Sequence, residues 1–218
     1  MKTSIINYMV EPTDAIRAIH NAFRNDMNHI DAAALNFARG KEGLASTIER
    51  FRFLNEVLVW HAHGEEIAVF PLLDKVAPLV AEAYLKDHRG LDQAYETLSQ
   101  SYSARDLLET ARATAAFRFH LRMHLNKEDT HLYRIFRERV PLAEQAKAVG
   151  IIAGQIPQER FPEFVAWMFP LMGNDDRENM IRIMQAVIPA TDFKGVKELI
   201  KKAVGNDWDE LTRRVPTL

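Results

Sequence analysis

A chain of 218 residues, 47% of them hydrophobic, can bury one sizeable core and a smaller second unit. A formal charge of −2 gives no basic field for nucleic acid or an anionic membrane, and the absence of cysteine excludes disulfides, thiolate nucleophiles and Cys-ligated zinc or iron–sulfur sites. The opening residues MKTSIINYMVEPTD lack the apolar core of a signal peptide, and no apolar run approaches the roughly 20 residues that cross a bilayer, so a cytoplasmic protein is expected.

The first helical segment runs from about Thr13, an N-cap candidate, to Arg39, with Gly40 and Gly43 ending it. Ile16, Ile19, Phe23, Met27 and Ile30 recur at three- and four-residue intervals and form one apolar stripe. A second segment spans about Leu44 to Pro71, with Leu54, Val57, Leu58, Ala68, Val69 and Leu72 on its inner face. A third starts near Pro78, tolerated in a first helical turn, and reaches Gln100 along Tyr84, Leu91, Tyr95 and Leu98. A fourth runs from about Ala104, capped by Ser103, to Val140, and is lined by Phe117, Leu121, Leu125, Leu132 and Ile135. With no strand-like alternation, these four predict an all-α protein built on an antiparallel up-down four-helix bundle over residues 10–140. Residues 141–218 are broken by Pro157, Pro162, Pro170, Gly173, Pro189, Gly195 and Gly205 into shorter helices, read as an extension packed on the bundle through Trp167, Phe169, Phe193 and Trp208. No convincing internal repeat is evident.

Polar groups interrupt these stripes at matched places. In HAHGEEIAVFPLL, His61 continues the stripe of Leu54, Val57 and Leu58, and Glu65 lies one turn further on the same face. His63 points roughly 200° away from His61, and Glu66 sits about 100° from Glu65, at the edge. The fourth segment repeats H-x-x-x-E as His124 and Glu128. His20 stands in line with Ile16 and Phe23, and His88 with Tyr84, Leu91 and Tyr95. Each predicted helix thus brings one histidine to its apolar face, and two bring a carboxylate. Burying four imidazoles and two carboxylates together is unfavourable unless a cation sits among them. Nitrogen and oxygen donors suit divalent iron, manganese or zinc, and this supply matches two metals about 3.5–4 Å apart.

The other histidines fit less well. His29 and His63 read as surface residues. His120 shares the general face of His124 and is a substitute or supporting ligand. His131 makes an E-x-x-H with Glu128, the unit of ferritin-like carboxylate centres, but the second such motif of that class is missing.

His20, then HAHGEEIAVFPLL, then DHRGL at His88, then HLNKEDTHLYRIF together resemble the hemerythrin-like, or HHE cation-binding, family over about residues 10–140. The tail is similar to an extension of some bacterial members. The resemblance implies a non-haem di-iron centre, oxo- or hydroxo-bridged in some states, with His20 and His61 on one iron, His88 and His124 on the other, and Glu65 and Glu128 bridging. Oxygen carriers of the family have a second histidine four residues after the third-helix one; here that residue is Asp92, and Glu128 replaces their fourth-helix aspartate. Fewer protein ligands leave exchangeable positions.

The leading functional expectation is catalase- or peroxidase-like handling of hydrogen peroxide, nitric oxide or dioxygen, with Tyr84 or Tyr95 as a nearby redox partner and Glu66 or His120 in proton transfer. The alternative is an iron- or oxygen-binding sensor that signals through the extension. A third reading is a helical interaction protein with a polar interior that binds zinc or nothing. No nucleic-acid or membrane partner is expected, and monomer and homodimer stay open.

Overall fold

The computed structural model describes residues 11–40 and 43–218. Among them the chain is all-α. Helix α1 spans Asp14–Ala38, α2 Leu44–Gly64, α3 Phe70–Val76, α4 Val80–Ala104, α5 Leu107–Lys127 and α6 Tyr133–Arg139. Single π-helical turns, Glu65–Val69 and Glu128–Leu132, join α2 to α3 and α5 to α6 without a break. The bundle therefore has four rods, α1, α2–α3, α4 and α5–α6. Each packs against its neighbours around a ring, α1 on α2 and α5, α4 on α5 and α3. The stripes read from the sequence supply its centre, with Phe23, Met27, Ile30, Leu54, Leu98, Phe117 and Leu121 fully buried. Each such side chain contributes about 1.5–3 kcal/mol by leaving water.

Three boundaries differ from the sequence expectation. The second rod continues past Pro71 to Val76, because Pro71 falls just after a π turn, where the i to i−4 ladder is already open. The third begins at Val80, after Leu79 in the left-handed region at φ 71°. The fourth starts at Leu107 and is capped by Asp106, whose carboxylate accepts from the Glu109 N–H at 2.9 Å. Ser103 does not cap it: its hydroxyl donates back to Ser99 O inside α4, which ends at a left-handed Arg105. Thr13 occupies the N-cap position of α1, but its hydroxyl makes no capping bond.

Beyond Pro141 lie α7 (Leu142–Ala153), α8 (Phe161–Leu171), α9 (Asn174–Val187), α10 (Ala190–Val204) and α11 (Trp208–Arg214). Helix α7 packs on α2 and the first π turn, α8 and α9 on α1, and α10 on α8. The apolar core is continuous across this junction, from Ile16 and Leu54 to Val165 and Ile200. Phe169 and Phe193 are buried anchors, whereas Trp167 and Trp208 are half-exposed. Trp167 instead donates its indole N–H at 2.7 Å to Asp26, a fully buried carboxylate of α1 that also receives Arg50. Asn21 to Asp176 and Asn25 to Leu171 O add polar ties along the same seam.

The two parts approach closely at Gly64. A Cβ there would stand 2.7 Å from Ile152 Cα of α7, so only glycine admits this helix. Gly195, in the exposed middle of α10, has open space around it. The same substitution therefore has opposite signs. Gly64→Ala lowers stability by about 1–3 kcal/mol through overpacking, despite the better helix propensity of alanine. Gly195→Ala raises it by about 0.5–1 kcal/mol. Urea unfolding midpoints of the two variants measure both, and equal signs would contradict this packing.

Candidate metal centre

Each H-x-x-x-E places its histidine in the last α turn of a rod and its glutamate at the first residue of the π turn. The amide of Phe70 bonds back to Glu65 O, and that of Tyr133 to Glu128 O, five residues rather than four. One residue is thereby added to the turn, and every later side chain shifts round the rod by one position. This is why Leu73 and Phe136 are buried where helical periodicity selects Leu72 and Ile135, which are only partly covered.

The structure brings all six residues selected from the sequence together. His20, His61, Glu65, His88, His124 and Glu128 are all buried, the two glutamates completely. One group comprises His20, His61, Glu65 and Glu128, the other His88, His124 and Glu128, and within each the donor atoms lie within 4.8 Å of one another. His20 Nε2 and His61 Nε2 face each other at 3.0 Å. Glu65 Oε1 is 3.2 Å from His61 Nε2, and its Oε2 is 3.5 Å from His88 Nε2. Glu128 Oε1 is 3.3 Å from His124 Nε2, and its Oε2 is 3.5 Å from His20 Nε2. Each carboxylate thus spans both groups.

A second layer fixes the imidazoles. His20 Nδ1 donates to Asp129 at 2.8 Å, and Asp129 is held by Arg24 at 2.5 Å. His88 Nδ1 donates to Glu66 at 2.9 Å, and Arg89 approaches Glu66 at 3.4 Å. Asp87, paired with Lys127, lies 3.7 Å from His124 Nδ1, beyond hydrogen-bond reach. A carboxylate on Nδ1 sets the tautomer that turns Nε2 inward, the usual outer support of a metal-bound histidine. His61 has no such partner.

Charges respond accordingly. Burial opposes an imidazolium at His20, yet Asp129, Glu128 and Glu65 outweigh it and hold its pKa above the ordinary value. The same contest at His88, won by Glu128 and Glu65, lifts it to about 11. Burial lowers His124, helped by the charge of His88. Burial alone would raise Glu65, but His61 and His88 hold it well below the carboxylate range. Tyr133 is pushed far up by burial and by Glu65 and Glu128.

The remaining nominated residues are elsewhere. His29, His63, His120 and His131 are exposed, so His120 is no substitute ligand. His131 lies against Tyr84, ring on ring at 6.3 Å and bonded to its hydroxyl, which also bonds to Lys127 O. Tyr95 stacks on Phe51. The tyrosine at the centre is Tyr133, whose buried hydroxyl donates to Glu65 Oε1 at 2.5 Å. In an ideal helix it would sit about 140° from Glu128; the π turn brings it inward. Asp129 and Glu66 had a visible signal, since each directly follows a site glutamate.

These residues fit a metal centre on the structure's own terms. Glu65 Oε2, both oxygens of Glu128 and His88 Nε2 are buried, point into the cluster and have no hydrogen-bond partner among the described residues. Buried anionic oxygens in that state are costly unless a cation meets them.

A family model described as the hemerythrin HHE cation-binding domain matches residues 11–94, which include His20, His61, Glu65 and His88. "Zinc finger protein BRUTUS" of Arabidopsis thaliana is 27% identical over 177 residues, covering 78% of this chain and 14% of that protein. Two BRUTUS-like zinc finger proteins of the same plant are 22% and 21% identical over 77% and 84% of this chain. The chain spans only 14–16% of the length of these curated relatives. No solved structure matches it. No described helix is long and apolar enough to cross a membrane. Residues 11–94 are thus similar to the hemerythrin HHE cation-binding domain, and His124 and Glu128 of α5 and its π turn complete the cluster begun within that matched segment.

Proposed function

We propose that the centre holds two non-haem irons and acts on a small oxidant, with hydrogen peroxide the first candidate and nitric oxide or dioxygen the others. The observation that carries this reading is the set of four inward, unpartnered donor atoms on Glu65, Glu128 and His88. His20 and His61 would hold one iron, His88 and His124 the other, and Glu65 and Glu128 would bridge. Such a pair supplies exchangeable positions and reversible redox chemistry. The family match supports a cation, and the nitrogen and oxygen donors support iron.

Access supports the small-molecule part. A cavity of about 240 Å³ between α2 and α4 is lined by Leu58, Val59, His61, Glu65, His88 and His124. At about 30 Å³ per water it has room for about eight waters, ample for peroxide or a diatomic gas. His20 and Glu128 do not line it, so an entering molecule meets His61, Glu65, His88 and His124. Glu66, bound to His88 and steadied by Arg89, keeps His88 Nε2 facing inward and stands at the cavity wall, where it can accept a proton from an entering molecule. In the catalase form, two peroxides give two waters and one dioxygen, so no outside reductant is required.

One observation favours a second reading, in which metal status is reported by the C-terminal helices. Gly64, adjoining Glu65, is in backbone contact range of α7, and Phe23 stands between His61 at 5.7 Å and Trp167 of α8 at 5.5 Å. A displacement at His61 or Glu65 therefore reaches two of those helices through one contact each.

Protein expressed with ample iron is expected to carry about two irons per chain by mass spectrometry, as a two-metal donor set implies, and Glu128→Ala to lose most of both. The iron-loaded protein should evolve oxygen from peroxide, and His61→Ala should not; full iron without turnover would move the assignment to the second reading. For that reading, chelation should make residues beyond 141 protease-sensitive, and unchanged resistance removes it.

Uptake of metal must also release protons. In the metal-free protein His88, lifted to about 11, is protonated at neutral pH, His20 is shifted in the same direction, and a ligating imidazole must be neutral. Affinity consequently rises with pH, up to the region of about 11 set by His88, and falls as pH drops. A pH-stat titration at pH 7 should record at least one proton released per chain on filling both positions, and about one fewer in His88→Ala. No release would contradict the charge state derived for the site.

A further inference from the structure

The two halves of the centre correspond residue for residue. His20 matches His88, His61 matches His124, and Glu65 matches Glu128. Each glutamate opens a π turn and is followed by an acid, Glu66 or Asp129, that holds the leading histidine of the opposite half. The first residue after each π turn, the one whose amide closes it, is Phe70 in one half and Tyr133 in the other. Phe70 lies against His88, with ring centroids 5.4 Å apart, and Tyr133 against His20 at 6.0 Å. The equivalent rings differ by one hydroxyl, and that hydroxyl binds Glu65 Oε1 at 2.5 Å. Glu128 receives no such bond, and both its oxygens are unpartnered.

We propose that Tyr133 is a positioning residue that makes the two bridging carboxylates unlike and thereby raises the reduction potential of the iron centre. Resting on the di-iron reading above, the inference concerns what this chain's own hydroxyl does to a ligand. A hydrogen bond donated to a carboxylate oxygen draws electron density from it and leaves it a poorer donor to a metal. Ferric iron depends on that donation more than ferrous iron does, so the bond favours the reduced state. It also fixes the rotation of Glu65, whereas Glu128, within 4 Å of His20, His88 and His124, receives no such bond among the described residues. Burial strengthens the effect, because no water competes for Oε1: Tyr133 is 2% exposed and Glu65 is 0%.

The test uses iron-loaded protein and two substitutions of opposite sense. Tyr133→Phe removes the hydroxyl and leaves a ring that the equivalent position already accommodates as Phe70. Its iron content stays at that of the wild type, and its midpoint potential, followed by a spectroelectrochemical titration, moves to lower values. A tenfold rise in the ferric-to-ferrous ratio at fixed poise, which is about 59 mV for one electron, is the expected size. Phe70→Tyr offers a hydroxyl to the unpartnered Glu128 and moves the potential the other way. Carrying both substitutions returns it toward the wild-type value.

A merely structural tyrosine would lower melting temperature or iron content in Tyr133→Phe and would not give shifts of opposite sign at the paired positions. Two irons with an unmoved potential in Tyr133→Phe overturn the proposal and leave the di-iron reading intact. Loss of iron from Tyr133→Phe overturns it as well, since the hydroxyl would then assemble the site rather than tune it. Wild-type protein without iron overturns the di-iron reading and this proposal together, and iron content, measured first, distinguishes that case.

Discussion

Two carboxylates, Glu65 and Glu128, are completely removed from water in the middle of an apolar bundle, and the rest of the centre follows from that constraint. Among the described residues, neither has a lysine or arginine within ion-pair distance. What surrounds them instead is imidazole, which can carry a proton or yield that place to a metal. The raised pKa values of His20 and His88 express the first state, and the unpartnered oxygens of Glu128 make room for the second. Permanent cations are kept one layer further out, where Arg24, Arg89 and Lys127 balance Asp129, Glu66 and Asp87. Charge thus alternates outward from the glutamates, and each layer is closer to water than the last. An arginine brought directly to Glu65 would satisfy the carboxylate and exclude the metal.

The π turns are the backbone's part in the same constraint. An unbroken α-helix carrying H-x-x-x-E presents its glutamate one full turn above its histidine, with the next inward residue another turn away. Opening the ladder at the glutamate puts a short, wider turn at the level of the cluster and brings the fifth residue inward as well. The cost is local, a lost i to i−4 bond in each rod, and the surrounding packing of Phe23, Leu121 and Phe136 holds the turn in place. Single π turns are commonly found at functional sites for this reason. Pro71 is tolerated directly after the first of them, in a rod that would otherwise have ended there.

Much of this was readable from residue spacing. Four apolar stripes of period 3.6 specify four rods, and the polar residues that interrupt them, at His20, His61, Glu65, His88, His124 and Glu128, are the ones the fold gathers. Periodicity locates a side chain within its own helix, and that sufficed because all six lie at or before the π turns. Beyond the turns it fails by one residue, which is why Tyr133, Phe136 and Leu73 were missed in favour of Tyr84, Ile135 and Leu72. The acids and bases of the outer layer could not be read in the same way. Asp129 with Arg24 and Glu66 with Arg89 pair across different rods, and no spacing along one rod encodes such a partner. The start of α5 was missed for a local reason: Ser103 and Asp106 are both capping residues, and a left-handed Arg105 decides between them.

The matched halves are also covered differently, and this orients the centre. Helices α7, α8 and α9 lie on α1 and α2, so His61 is backed by Phe23 and, beyond it, Trp167, with no carboxylate on its Nδ1. Where the other half has Asp87 just before its leading histidine, this half has Ile19, a buried apolar residue. His88 and His124, like His61, line the cavity between α2 and α4, with Glu66 and Asp87 behind them. A nearly symmetric donor set therefore has one side packed on the C-terminal helices, with a separate polar pocket at Asp129 and Tyr133, and one side that faces the cavity between α2 and α4. The first, bound to the C-terminal helices through Gly64 and Asp26, is the side on which a change at the ligands would be felt by the rest of the chain.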